Sequence, residues 1–306
     1  MPLSDVIECL RGGDKVTDAL LIELSGLDGE ELAALQMEWA RVASERRRQI
    51  LGRMVTLAAD DVRLSFEGVF RERLDDTDAE VRRRAIEGLS ECEDAWLIKP
   101  LVHLLTRDSS EAVRVRAAEA LGRFAVLAEC GHLPTDRVEM VTRALLDTVE
   151  PTSAPIEVGC QALESVAALS LPEVTAAIMR AYQEDDDRLQ LSAVRAMGRS
   201  CDPSWLPMLL KEVASRDPEL RREAVTALGQ LGEEDAVACL ADLIYDDDVR
   251  VRLATVRALG EIGGPEAVEA LEQALPDAEA AVTDAAEETL ESLADLDDRS
   301  GQVQDG

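Results

Sequence analysis

Six cysteines, two histidines and several acidic triplets have the widest chemical reach in this chain. Thiolates and imidazoles in close pairs would hold zinc, and a thiolate beside a base would be a nucleophile. The spacing supports neither. Cys9, Cys92, Cys130, Cys160, Cys201 and Cys239 are scattered, and none forms a C-x-x-C pair. Only His103 and His132 could join them, and His103 falls inside an apolar segment, where a structural role is expected. The cysteines read as small buried apolar residues of a reducing compartment, so a cytoplasmic location is expected. Asp185-Asp186-Asp187 and Asp246-Asp247-Asp248 offer oxygen ligands, yet they match no calcium-loop spacing and are accounted for as helix caps. No phosphate loop, G-x-G-x-x-G turn, nucleophile elbow or H-E-x-x-H pair occurs. The expectation is a non-enzyme with no metal and no cofactor.

What remains is charge. Lys and Arg number 32 against 63 Asp and Glu, a net charge of −31. Binding to phosphate backbones or anionic membrane surfaces needs the opposite sign, so neither nucleic acid nor membrane is an expected partner. A basic partner is compatible with this balance, and so is solubility alone. The opening residues lack a basic start and a long apolar run, so no leader peptide is expected.

Where the charges sit depends on the helices that carry them. Asp217 to Leu231 reads as one amphipathic helix, with Leu220, Ala224, Ala227 and Leu228 on one face. Asp217-Pro218 is a cap followed by a first-turn proline, and Gly229 and Gly232 are candidate stops. This helix recurs. Its opening aliphatic residue anchors a series at Val81, Val113, Val158, Leu189, Leu220, Val251 and Val282, with steps of 32, 45, 31, 31, 31 and 31 residues. Four positions on stand Ala85, Ala117, Ala162, Ala193, Ala224, Thr255 and Ala286. Eight on stand Leu89, Leu121, Val166, Met197, Leu228, Leu259 and Leu290, and nine on stand Gly122, Gly198, Gly229 and Gly260. Two short helices and two turns fill such a period. The apolar helix preceding each anchor, such as 99–105, 206–210, 237–244 or 268–275, completes the pair. No pair buries its stripe alone, so the core must run from unit to unit.

The pattern D-x-x-V-R-x-x-A-x-x-A-L-G resembles the second helix of a HEAT repeat. It is of the short bacterial kind grouped with the HEAT-like repeats of phycobilisome lyases. The resemblance covers roughly Leu64 to Leu296. It implies an all-α fold, a right-handed α-solenoid of HEAT-like helix pairs. It also implies a ladder between units, from an Arg just past the anchor to an Asp at the turn. The matching positions are Arg82, Arg114, Arg221 and Arg252 with Asp78, Asp186, Asp217 and Asp248, and Glu279 in the last unit; Gly159, Gln190 and Thr283 depart from the pattern. HEAT-type metal hydroxylases carry His-Glu pairs, and neither histidine here is followed by Glu.

The array is expected over 61–296, about seven units, with an insertion near 123–155: a prolonged helix over 122–129, a break at 130–134, a restart at Thr135 or Asp136, and a loop at 150–155. Residues 1–60 read as a helical cap, with helices over 3–10 and 16–24 and one long helix from about Glu30 to Leu57. That long helix carries Arg41, Arg46, Arg47, Arg48 and Arg53, which either balance nearby acids or dock an acidic partner or a second copy. The first helix of the array is expected over 60–74, with Phe66 and Phe70 inward. Residues 297–306 read as a disordered acidic tail.

The family resemblance implies that second helices line the concave side. Positions two and six past each anchor then point away from the buried stripe. Early units present Glu87, Glu119 and Glu164. Later units present Arg195, Arg222 and Arg257, with Leu191 and Leu253 between them. The expected function is a non-enzymatic protein–protein interaction scaffold holding a protein or peptide there. The alternative from the lyase resemblance is a bilin lyase or isomerase subunit acting on phycobiliproteins.

Overall fold

The computed structural model describes residues 3–12, 15–150, 153–277 and 279–303, the stretch 296–303 by its backbone alone. It comprises two compact units, Met1–Val158 and Gly159–Gly306. All regular structure among the described residues is helical.

The first unit holds α1 (Leu3–Arg11), α2 (Asp18–Ile22), α3 (Gly29–Trp39), α4 (Ser44–Asp60), α5 (Glu67–Arg73), α6 (Ala79–Gly88), α7 (Ile98–Arg107), α8 (Glu111–Glu129) and α9 (Thr135–Val149). Helix α10 (Ile156–Val166) begins just before the second unit. That unit continues with α11 (Pro172–Gln183), α12 (Asp187–Arg199), α13 (Leu206–Glu212), α14 (Pro218–Leu231), α15 (Val237–Leu243), α16 (Val249–Ile262), α17 (Pro265–Ala274) and α18 (Ala280–Val303). Second helices stack on second helices: α4 on α6 and α6 on α8 in one unit, α12 on α14, α14 on α16 and α16 on α18 in the other.

The repeat register explains this packing. Every residue four past an anchor is completely buried, Thr255 included. Thr255 satisfies its hydroxyl on the Val251 carbonyl at 2.9 Å. The anchors are buried except Leu189, which is half-buried. Nine past the anchor, glycine is required by the neighbour. A Cβ at Gly229 would stand 2.8 Å from Ala258 Cα, and one at Gly198 would stand 2.7 Å from Ala227 Cα. Gly229 therefore lies within α14 as a contact surface, and Gly232 alone stops that helix, at φ 71°.

The ladder exists, but with different acceptors. Arg82 donates twice to Asp108 at 2.7 Å, Arg221 twice to Asp246 at 2.9 Å, and Arg252 to Asp277 at 2.7 and 3.0 Å. Each guanidinium also donates to a backbone carbonyl of its own turn, on Asp76, Ser215 and Asp246 respectively. The expected acceptors Asp78, Asp186, Asp217 and Asp248 are N-caps, receiving amides of the helix they start, and of these Asp78 also accepts an arginine of the preceding second helix, Arg48 on α4 at 2.7 Å. The true acceptor stands two residues earlier. It also takes the amide two residues on: Ser110 to Asp108, Asp248 to Asp246, and Glu279 to Asp277. Arg114 donates to the Leu105 carbonyl of its own pair, and the Thr283 hydroxyl lies within reach of the Leu275 carbonyl at 3.1 Å and the Asp277 carbonyl at 3.5 Å.

The amino-terminal segment is built differently from its expectation. The single long helix is two, α3 and α4, broken at 40–43. Asp60 closes α4 rather than opening α5, and Phe66 and Phe70 are buried as expected. A buried polar lock joins α3 and α4 to α5 and α6. Trp39 Nε1 donates to Asp76 at 2.7 Å, and Arg47 donates to both its oxygens at 2.8 Å. Arg73, 1% exposed, lies 4.6 Å over the Trp39 ring and donates to Gln36; burial pushes its pKa down to about 10. Farther along, α8 reaches Glu129 and α9 restarts at Thr135, with no side-chain cap. Helix α18 continues to Val303, past the expected start of a disordered tail at 297, since no proline interrupts it; residues 304–306 lie outside the described residues.

Two outcomes are expected. Gly229→Ala gains up to about 1 kcal/mol of helix propensity but forces backbone apart at Ala258, at a cost of about 1–3 kcal/mol. The net is a lower urea midpoint, with hydrogen exchange rising first in α14 and α16. The second outcome is acid lability. Arg252 holds Asp277 below the usual carboxylate range; burial pushes Asp108 and Asp246 up, but Arg82 and Arg221, with backbone amides, outweigh it. Depressed folded values contribute stability that is full above an unfolded Asp value of about 3.9 and lost as pH falls through the folded values. Urea midpoints should hold from about pH 7 to about pH 5 and fall below about pH 4.

Candidate protein-interaction surface

The face made by second helices in the second unit carries the expected residues, and most of them are already paired. Arg195 on α12 sits between two buried acids, Glu164 on α10 at 3.5 Å and Glu223 on α14 at 2.9 Å. Arg199 reaches Glu164 at 3.4 Å. Arg222 is held by Glu219 at 2.7 Å and by Glu223. Arg250 on α16 reaches Glu219 at 3.6 Å and its own cap Asp248 at 2.8 Å. Glu164, expected as a presented acid, is buried: burial pushes its carboxyl up, while Arg199 and Arg195 pull the other way. In the first unit Glu87 pairs with Arg83 at 3.2 Å, and exposed Glu119 pairs with Arg116 at 2.6 Å.

Between α14 and α16 this closure gives way to a groove of about 630 Å³. Glu219, Arg222 and Thr226 line it from α14, and Arg250, Leu253, Ala254, Arg257, Ala258 and Glu261 from α16. The structure thus gathers Arg222, Leu253 and Arg257 around one hollow, while Leu191 and Arg195 do not line it. Glu219, Glu223, Arg250 and Glu261 were missed in the sequence. They occupy the positions one before, three past and ten past the anchors; i, i+3 or i, i+4 spacing to an arginine could have flagged Glu219 and Glu261, whereas Glu223 and Arg250 carry no such signal.

The arginines of the amino-terminal segment are engaged within the chain. Arg41 holds Glu38, Arg46 caps the carbonyls of Cys9 and Leu10, Arg47 holds Asp76, Arg48 holds Asp78 and Arg53 holds Asp18. Four of the five balance acids and Arg46 holds backbone carbonyls. A second hollow, of about 750 Å³, lies between α1 and α3 around Ile7 and the 72%-exposed Met37. Its rim charges close on one another, with Glu38 held by both Arg11 and Arg41.

The cysteines are free thiols, and none is fully buried as expected. Cys130 and Cys201 are exposed because they lie where helices end. His103 points outward from α7. Glu67, Cys92 and Asp94 bring three donor atoms within 4.8 Å of one another. Burial pushes the Cys92 thiol up. No described helix is long and apolar enough to cross a membrane.

A family profile of HEAT repeats matches residues 69–148 and 206–291, more than half of the chain. The chain is a HEAT-repeat protein. No curated protein matches it. Among solved structures, the complex of CpcE and CpcF of phycocyanin lyase from Nostoc is similar at 18% identity and a TM-score of 0.50, covering 92% of this chain and 96% of that one. The Kap95:Nup1 complex is similar at 12% identity and a TM-score of 0.55, covering 96% of this chain and 46% of that one. Importin beta is similar at 13% identity and a TM-score of 0.53, covering 95% and 44%. These likenesses concern the fold. This HEAT-repeat protein spans less than half of the importin-type chains it matches.

Reversing Arg195 and Arg257 should have opposite consequences. Arg195→Glu places a third acid beside buried Glu164 and Glu223 and should cost about 3–5 kcal/mol, as breaking buried pairs does. Arg257→Glu, at an exposed position, should stay within about 0.5 kcal/mol of the parent. Urea denaturation of the two variants checks this.

Proposed function

We propose that this HEAT-repeat protein is a non-enzymatic interaction scaffold, and that the second-helix face over α14 and α16 receives a segment of a partner protein. The observation that carries the reading is the groove itself. There Arg257 stands without an ion pair among the described residues, beside Leu253 and Ala254. The volume lies in the range of ligand sites. The alternative, a subunit acting on a linear tetrapyrrole attached to a phycobiliprotein, rests on the likeness of fold to phycocyanin lyase.

A photo-crosslinking amino acid at Leu253 should give discrete adducts with a partner protein in cells. The same group at exposed Lys211 on α13 should give none. Adducts from Lys211 alone, or from neither position, would refute the groove as the receiving face. Mixing the protein with phycocyanobilin and apo-phycocyanin should leave the bilin absorbance spectrum unchanged. A new protein-bound band would favour the lyase alternative.

A further inference from the structure

The repeat supplies an internal comparison at the groove. Arg195 and Arg257 occupy the same register, six past the anchors Leu189 and Val251. The acids that neutralise Arg195 are Glu164, six past the preceding anchor Val158, and Glu223, three past the following anchor Leu220. Two helix pairs farther on, the equivalent places around Arg257 hold Thr226 and Ala285. Both acids have been replaced, one by a hydroxyl that donates to the Arg222 carbonyl at 3.0 Å, the other by a methyl group. The other arginines of the groove stay occupied, Arg222 by Glu219 and Glu223, and Arg250 by Glu219 and Asp248. Arg257 is exposed and has no ion pair among the described residues.

On its own helix Arg257 is flanked by Leu253, which matches Leu191 beside Arg195, and by Ala254, which stands where α12 has Ser192, so apolar side chains lie beside the free guanidinium. The acids that face the groove are Glu219, taken by two arginines, and Glu261, one turn beyond Arg257, whose carboxylate lies over Gly229. A guanidinium beside aliphatic surface favours a planar anion carried next to an apolar side chain.

Resting on the scaffold reading above, we propose that the α14–α16 groove recognises an acidic peptide segment of a partner protein. Arg257 binds a carboxylate of that segment, and Leu253 and Ala254 receive an aliphatic side chain close to it. Charge complementarity selects this occupant: the charged residues that line the groove, Arg222, Arg250 and Arg257 against Glu219 and Glu261, sum to +1 although the chain as a whole carries −31. Arg195 and Arg222 hold the scaffold together and do not read the partner.

The test selects a phage-displayed library of random peptides on the full chain and measures an enriched peptide by fluorescence anisotropy at low and high salt. The expected result is enrichment of Asp or Glu next to Leu, Ile or Val. Arg257→Ala should weaken binding by about tenfold or more and flatten its salt dependence. Arg257→Lys should recover part of the loss, and Glu261→Gln should tighten binding, while thermal melts stay unchanged. Enriched peptides without an acid, or with affinity indifferent to Arg257→Ala, would overturn this inference and leave the scaffold reading standing. Failure of any peptide to enrich would overturn both. A wild-type dimer in sedimentation that Arg257→Ala dissociates would assign the groove to a second copy and overturn the peptide proposal.

Discussion

Successive second helices approach so closely that a single methyl group will not fit between them. Gly198 faces the Ala227 backbone and Gly229 faces that of Ala258. At this separation, a side chain on one helix touches its counterparts on the helices before and after, and the charges of the face become a connected system. Arg195 can span from Glu164 to Glu223 only because α10, α12 and α14 are packed this tightly. The same closeness means that a missing acid leaves a vacancy no distant residue can fill, and that is how the groove over α16 arises.

Much of this was legible in the sequence because it depends on residue type at fixed spacing. The anchors, the alanines four past them and the glycines nine past them specify one face against one neighbour, and a 31-residue step can be read without knowing the fold. The ladder acceptors were not legible in the same way. Asp246 and Asp248 are chemically alike and two residues apart, and only the turn geometry sends one to Arg221 and the other to the amide of Arg250. The break between α3 and α4 was hidden because Ala40, Arg41, Val42 and Ala43 contain no glycine or proline. Its cause is tertiary: Trp39 and Arg47, on either side, both converge on Asp76.

At the candidate surface, helical angle placed Arg195, Arg222 and Arg257 on one face but could not say which of them were free. Pairing depends on Glu219 and Glu223, which sit on the flank of the stripe and look solvent-facing by angle alone. Glu223 is in fact 6% exposed. A basic patch inferred by counting arginines is therefore largely a neutral, internally bonded layer. The net charge of −31 belongs to the other surfaces of the chain.

The ladder also has a direction. In Arg47 to Asp76, Arg82 to Asp108, Arg221 to Asp246 and Arg252 to Asp277, the cation always precedes the anion. During synthesis each guanidinium leaves the ribosome before the carboxylate it will hold, and that carboxylate organises the turn that starts the next second helix. Each finished pair is thus a template waiting for the following turn. Growth from the amino terminus adds order one joint at a time, and a nascent chain halted midway leaves the ladder cation of its last joint without its carboxylate.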